Sequence, residues 1–182
     1  REFGSYQSVL SIPVGKNHPD ASALILMNYI LGESQISSRL AQELREKNAL
    51  VYGFGSGLQL DRDTNVGALS ISANYTSGRS AQVSASIHKV LNDLVKNGVT
   101  EQELEAAKAD IMKKRVTALE DERNIHGMLN LQLESGKTLQ DRVKHDQNLT
   151  KLTVADINTV IKMAKYHTDP ITSLALSFEV PV

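Results

Sequence analysis

The sequence predicts an α+β domain in which a mostly antiparallel or mixed sheet is covered on one face by helices. Stretches with apolar residues at every second position, typical of strands, cluster near the beginning of the chain and recur at its end. Five helix-type patterns follow one another between them. No linker composition, internal repeat or low-complexity tract divides the chain. Strands that are separated in this way from helices are typical of a single α+β domain.

The first half of the chain contains two helix patterns set among strand patterns. We predict, in order, a strand over 7–14, helices over 21–31 and 38–47, and strands over 52–60 and 66–75. The second helix carries Leu40 and Leu44 on one face, with Arg39 and Glu43 among the charged residues that cover the rest. Asn48 then ends the helix, and we expect it to adopt the left-handed conformation common at helix ends.

The strand predicted over 52–60 has two dissimilar faces. Tyr52 and Phe54 begin one face, and the other consists of glycines at 53, 55 and 57. A strand with one bare face leaves its backbone open to close approach by another chain. The helix end and the strand start are therefore expected to place Arg45 and Tyr52 near one another, beside accessible backbone. This corner is a candidate site for handling a peptide.

The second half of the chain is predicted to be helical up to a final strand. We predict helices over 78–97, 100–118, 121–135, 139–148 and 154–166, and a strand over 171–180. Thr100 with Glu103, and Thr153 with Asp156, have the three-residue spacing of N-terminal capping boxes. These boxes indicate where two of the helices begin.

Composition excludes several classes of function. The 182 residues are 41% hydrophobic, enough for the core of one domain, and carry a net charge of −1, so no nucleic-acid partner is predicted. No apolar run approaches the roughly 18 residues of a membrane span. The chain has no cysteine, which excludes disulfides and thiolate chemistry. A cysteine-free chain suits the periplasm or another envelope compartment and is compatible with the cytoplasm.

The histidines show no metal-binding pattern. They lie at least 19 residues apart, so no two share a turn of helix: His18, His88, His126, His145 and His167. Glu122 is four residues before His126 and could chelate a metal, although a solvated pair on a helix is the more ordinary interpretation. We therefore predict no metal site and no cofactor in this chain.

Three segments, in order, resemble the second domain of the pitrilysin-type zinc metallopeptidases, the M16 family. They are N-Y-I-L-G…S-S-R-L…E-L-R-E-K-x-x-L-V-Y over 28–52, V-T-E-Q-E-L-E-A-A-K over 99–108, and L-T-V-A-D-I-N over 152–158. The resemblance thus extends over nearly the whole chain. It implies the same kind of α+β fold and a part in peptide hydrolysis.

The resemblance also implies how the domain would contribute. Family peptidases hold zinc on an H-x-x-E-H helix, which this sequence lacks, so zinc would lie in another domain of the parent chain or in a partner subunit. This chain alone is then not expected to hydrolyse peptides and carries no catalytic residue. In the family, the Arg and Tyr that match Arg45 and Tyr52 reach into the zinc cleft, where they bind the substrate backbone and help to stabilise the oxyanion. Ala49 and Val51 depart from the usual Gly and Ala, which puts the turn geometry in question.

The interpretation that follows is a non-catalytic, substrate-binding C-terminal domain of a bacterial zinc metalloendopeptidase, with a zinc-bearing domain and a peptide as partners. Two alternatives stay open. One is a proteolytically inactive structural subunit, as in respiratory-complex core proteins, and the other is a peptide-binding module that uses the bare strand. The presence of both Arg45 and Tyr52 favours the peptidase. Residues 1–5 resemble a cloning scar, so the domain is predicted over 6–182.

Overall fold

A four-stranded antiparallel sheet forms one layer of the protein. The computed structural model describes residues 3–136, 138–166 and 173–180. Its strands are β1 (Phe3–Ile12), β2 (Val51–Leu60), β3 (Gly67–Thr76) and β4 (Ser173–Val180). They lie in the order β2-β3-β1-β4, and every neighbouring pair is antiparallel, as predicted for the fold class. Strand β2 is therefore an edge of the sheet.

The helices form the second layer. They are α1 (Ala21–Asn28), α2 (Ser80–Asn97), α3 (Glu101–Thr117), α4 (Glu122–Ser135), α5 (Leu139–Lys151) and α6 (Val154–Tyr166). Two π-helical segments, π1 (Tyr29–Glu33) and π2 (Ala41–Lys47), lie between α1 and β2. The sequence predicts both segments as ordinary helix, because π-helical turns are rare and mostly occur as single turns within α-helices.

The core lies between the sheet and the helices. Strand β3 alternates between the buried residues Leu69, Ile71 and Tyr75 and the exposed residues Ser72 and Asn74. Such period-two burial indicates that one face of the sheet is packed and the other is open. The helices complete the core with the fully buried side chains of Leu24, Leu26, Leu31, Leu40, Leu44, Ile87, Leu104, Leu149 and Ile157.

Several boundaries differ from the prediction. Strand β1 begins at Phe3 and pairs there with Thr76 and Val180, so residues 3–5, predicted as a cloning scar, take part in the sheet. The domain boundary at residue 6 stays a prediction. Helix α5 continues to Lys151, three residues beyond its predicted end. The predicted start of the last strand, 171–172, and His167 lie outside the described residues.

The two predicted capping boxes are present. The Thr100 hydroxyl accepts the Glu103 N–H at 3.2 Å, and the Thr153 hydroxyl accepts the Asp156 N–H at 3.3 Å. The Glu103 carboxylate accepts the Thr100 N–H at 2.8 Å in return. These hydrogen bonds pair backbone groups that have no partner inside a helix, so they begin α3 and α6.

Arg39 and Glu43 are not the solvated charges that the helix pattern predicts. The Arg39 side chain is only 12% exposed and donates to both Glu103 oxygens, at 2.7 and 2.8 Å. Glu43 is buried, and its carboxylate accepts a hydrogen bond from the Lys89 ammonium group at 2.7 Å. The prediction is wrong because α2 packs against π2 and Glu103 at the start of α3 binds Arg39, and periodicity does not reveal such tertiary contacts.

Candidate functional site

The candidate site is built on the end of π2, which the core holds firmly. Leu40, Ala41 and Leu44 have no exposed surface, while Arg45 on the opposite side is exposed. Gly32 in π1 allows close packing here, since a side chain at that position would collide with the side chains of Leu40 and of Ser56 in β2. The helix therefore presents Arg45 from a fixed support rather than from a loop.

A three-residue turn joins π2 to β2, and it differs from the prediction. The Leu50 N–H donates to the Leu44 carbonyl at 2.8 Å, and the Ala49 N–H donates to the Arg45 carbonyl at 3.2 Å. Ala49, with φ +45°, adopts the left-handed conformation. Asn48 keeps φ at −114°, so the prediction that it reverses the chain is wrong. Its side chain instead donates to the Glu43 carbonyl at 2.7 Å and caps the helix from an ordinary backbone conformation.

Ala49→Gly is expected to stabilise the protein. An L-residue in the left-handed region pays a steric cost that glycine avoids, so the free energy of unfolding should rise by about 1 kcal/mol. The melting temperature should rise by about 2–4 °C in a chain of this size. Asn48→Gly is the matched control: it removes the hydrogen bond to Glu43 at a residue with ordinary φ, so it should lower stability. Equal effects of the two variants in thermal unfolding would contradict this account of the turn.

A β-bulge sets the direction of Tyr52. The pairing register between β2 and β3 shifts between Val51 and Gly53. Val51 and Phe54 are both buried, while Tyr52 is 58% exposed. The prediction that Tyr52 and Phe54 share a face is therefore wrong, because the extra residue of a bulge interrupts the alternation of side chains. The bulge buries two apolar side chains three residues apart and leaves Tyr52 outside.

Two contacts hold the guanidinium of Arg45. Its Nη2 donates to the backbone carbonyl of Gln35, and its Cζ lies 5.5 Å from the centroid of the Phe54 ring, in a cation–π contact. The Gln35 side chain donates to the Phe54 carbonyl at 3.2 Å. A guanidinium has five N–H donors, more than one carbonyl can accept, so Arg45 keeps donors for a second acceptor.

Tyr52 lies at the second position of β2, across the turn from Arg45. Its ring contacts Phe3 edge to face, with centroids 5.7 Å apart and planes at 76°. Phe3 begins β1, and it reaches Tyr52 across the end of β3. The structure thus places both predicted residues, exposed, at the two ends of one short turn.

Sequence reasoning missed Gln35 and Phe54 as partners of Arg45. Gln35 lies ten residues before Arg45 in a loop, and no spacing rule relates a loop carbonyl to a helix side chain. Phe54 was expected to face the same way as Tyr52, and only the bulge explains why its ring lies under Arg45 instead.

The edge strand has the bare face that the glycines predict. A side chain added at Gly55 would meet no atom within 4 Å. At Gly57 it would come within 3.0 Å of the Ser70 hydroxyl, and at Gly53 within 3.5 Å of the Asn74 side chain. The side chains nearest to this open face of β2 are therefore the polar ones of Ser70 and Asn74 in β3.

The described residues contain no group of three His, Asp or Glu side chains placed to hold a metal ion. Glu122 and His126 are both exposed on α4. His18 lies 3.7 Å from Asp20, and His145 contacts the Ser22 hydroxyl at 3.5 Å. Within the described ranges, no helix is both long and apolar enough to cross a membrane.

The fold and the sequence match a known class of domain. The family model described as the peptidase M16 inactive domain matches residues 5–111. A solved peptidase M16 inactive domain from Pseudomonas fluorescens superimposes with a TM-score of 0.80 at 23% identity, covering 97% of this chain and 40% of that one. A protease from Helicobacter pylori gives 0.77, also at 23% identity, with 96% and 40% covered.

The chain belongs to the peptidase M16 family and matches its inactive domain. Among its relatives, an uncharacterised zinc protease of Mycobacterium leprae is 32% identical over 148 residues, which are 80% of this chain and 32% of that protein. A second, from Bacillus subtilis, is 32% identical over 132 residues, or 71% of this chain and 31% of that protein. The chain thus spans about a third of the length of these relatives. The family resemblance noted in the sequence is confirmed.

Proposed function

We propose that this domain is the non-catalytic, substrate-binding part of a zinc metalloendopeptidase, in which Arg45 and Tyr52 bind the peptide being cleaved. The observation that carries the proposal is the corner itself. An exposed arginine and an exposed tyrosine flank one turn, on a helix and a strand that the core supports. The match to the M16 inactive domain supplies the class of reaction.

The two side chains suit developing negative charge. The guanidinium of Arg45 is a permanent cation whose donors fit a carbonyl oxygen, and the phenol of Tyr52 is a neutral donor. Donors that are already in place stabilise an oxyanion more in its charged transition state than in the ground state, which is the condition for catalysis. The Phe54 ring and the Gln35 carbonyl supply this preorganisation for Arg45.

The zinc would come from another part of the assembly. The relatives are named zinc proteases and are about three times as long as the matched region, which leaves room for a zinc-bearing domain. We propose that such a domain, in the parent chain or in a partner subunit, places its metal opposite this corner, so that the peptide is bound between the two. Hydrolysis then requires both domains.

Two other functions are alternatives to this one. A proteolytically inactive structural subunit would have no use for an exposed arginine and tyrosine at one turn, so the corner favours the peptidase. A peptide-binding module finds support in β2, which is an edge strand with an open glycine face onto which an extended peptide could add. That activity would persist without any zinc-bearing partner.

A photo-crosslinking experiment tests the proposed site. Benzoylphenylalanine replaces Tyr52 in the full-length protein, which keeps an aromatic ring at that position and leaves Arg45 intact. Irradiation with a bound peptide is expected to join the peptide to this position. The same replacement of Val66, an exposed apolar residue at the opposite end of β2 and β3, is the control and should give no product. Crosslinking at Val66 alone would contradict the proposed site.

A further inference from the structure

A cavity of about 690 Å³ lies between the sheet and the helices. Strands β1 and β3 form one wall, and residues of α1, π1, α2 and α6 form the others. The described residues that line it do not include Arg45, Tyr52, Gln35 or Phe54. The cavity is therefore separate from the candidate site, and what it binds does not depend on the proposed function.

Most of the cavity wall is apolar. Its buried side chains come from β3 and from the helices and include Met27, Leu31, Leu69, Ile71, Leu94 and Ile161. Ser8 on β1 and Ala164 on α6 also line it, and both are small, so they leave space that larger side chains would fill. Native cores contain few voids larger than a water molecule. A space of this size instead lies within the range of about 300–1,000 Å³ that small-molecule pockets occupy.

A row of polar side chains along α2 borders the cavity. His88, Asn92 and Lys96 line it and follow one another at four-residue intervals, so they share one face of the helix. All three are exposed, whereas Leu91 and Val95, which also line the cavity, are half-buried. The cavity therefore meets solvent along this row, and its apolar part lies deeper.

The charge of this row suits an anion. Lys96 carries an ammonium group, and among the described residues no hydrogen bond or ion pair holds it or the Asn92 amide. Lys89, on another face of α2, differs because it binds the Glu43 carboxylate. The described lining residues include neither Asp nor Glu. An ammonium group and an amide N–H are thus both available as donors at the border of an apolar cavity.

We propose that this cavity binds a single aliphatic chain that ends in a carboxylate. The chain lies among the buried apolar side chains, and the carboxylate accepts hydrogen bonds from Lys96 and Asn92. Burial of the chain removes apolar surface from water on both partners, which is favourable in proportion to the area covered. A hydrogen bond between two ionised groups is about twice as strong as one between neutral groups, so the carboxylate fixes the orientation of the chain.

Calorimetric titration of this chain with decanoate, below the concentration at which decanoate forms micelles, tests the site. Saturable binding of one decanoate per chain is expected. Decanoate should bind roughly 10-fold more tightly than octanoate, because two further methylene groups are buried. Decyltrimethylammonium has the same chain and the opposite charge, so it should bind about 10-fold more weakly than decanoate or less. Absence of saturable decanoate binding overturns the inference, and so does equal binding of the cation.

Substitutions of lysine test the position of the carboxylate. Lys96→Gln should weaken decanoate binding about 10-fold, the usual effect of removing a hydrogen bond to a charged group, and Lys96→Arg should preserve it. Lys162→Gln is the matched control. It removes an exposed lysine of α6 that does not line the cavity, and it should leave the affinity unchanged. Equal affinities of Lys96→Gln and the unsubstituted protein contradict the proposed role of Lys96.

Filling the cavity tests the position of the chain. Ala164→Leu places additional apolar volume in the cavity and should abolish decanoate binding, while thermal unfolding of the variant remains cooperative. Ser8→Val fills the space from β1 instead and should weaken binding in the same direction, so the test stands even if one variant does not fold. Undiminished decanoate binding in a folded variant of either kind overturns the inference, because the ligand then lies outside the cavity.

Discussion

Arg45→Ala is expected to lower the kcat of the zinc-bearing parent enzyme about 100-fold, the usual effect of removing one preorganised oxyanion donor. Tyr52→Phe should lower kcat in the same direction, because it removes only the hydroxyl and keeps the ring that contacts Phe3. KM should change little in Tyr52→Phe if the hydroxyl acts mainly in the transition state. Steady-state kinetics with a fluorogenic peptide measure both effects.

Two controls make this result specific. Zinc content must equal that of the unsubstituted enzyme, since neither side chain is proposed to bind the metal. Arg62→Ala removes another exposed arginine, in the turn between β2 and β3 at the opposite end of the sheet, and should leave kcat within about twofold. Full activity in both Arg45→Ala and Tyr52→Phe would remove these residues from the site.

Arg39→Ala is expected to lower the free energy of unfolding by about 3 kcal/mol, because it leaves the partly buried carboxylate of Glu103 without its cationic partner. Arg39 binds both oxygens of Glu103 and also donates to the Gly98 carbonyl at 2.7 Å and to Asp93 at 3.1 Å. This one side chain thereby joins the turn just before π2 to the end of α2 and the start of α3. Urea unfolding at pH 7 measures the loss.

The pH dependence of that loss identifies its cause. Burial raises the pKa of Glu103, but hydrogen bonds from Arg39 and Thr100 outweigh it and hold the pKa below the ordinary 4.5. A lowered carboxyl pKa contributes stability above the unfolded value, and this contribution is lost as the pH falls through the folded pKa. The difference between the unsubstituted protein and Arg39→Ala should therefore narrow as the pH falls below about 4.5.

An exposed ion pair provides the matched control. Arg123 lies 3.6 Å from Asp121 at the start of α4, with both side chains open to solvent. Arg123→Ala should change stability by no more than about 1 kcal/mol, because water and salt screen such pairs. If Arg39→Ala were as mild, the contacts of Arg39 would not hold the helices together.

Periodicity and capping chemistry predict most elements of this fold. Alternating apolar residues locate the strands, and the Thr100–Glu103 spacing locates the start of α3, because both signals are local. Packing across the chain is not local. Arg39 reads as a solvated helix residue until α3 is placed beside it, and its partner Glu103 is 64 residues away.

The sequence predicts only part of the candidate site. The family resemblance makes Arg45 and Tyr52 the candidate residues, and spacing predicts that a turn separates them. The prediction for the turn itself is wrong. Asn adopts the left-handed conformation more readily than Ala in general. Here, however, the Asn48 side chain donates a hydrogen bond to the Glu43 carbonyl, and Ala49 is the residue with positive φ. The bulge at Tyr52 also has no local signal, since it depends on the register of β2 against β3.

We propose above all that this domain completes a zinc site whose metal is held by another domain. Metal content and cleavage of a fluorogenic peptide, measured on this chain alone and again after the zinc-bearing domain is added, test it most directly. We predict neither zinc nor cleavage for the chain alone, and cleavage that requires both Arg45 and Tyr52 in the combination. Stoichiometric zinc with cleavage by this chain alone would contradict the account, and so would a combination that binds zinc yet cleaves equally well without this domain.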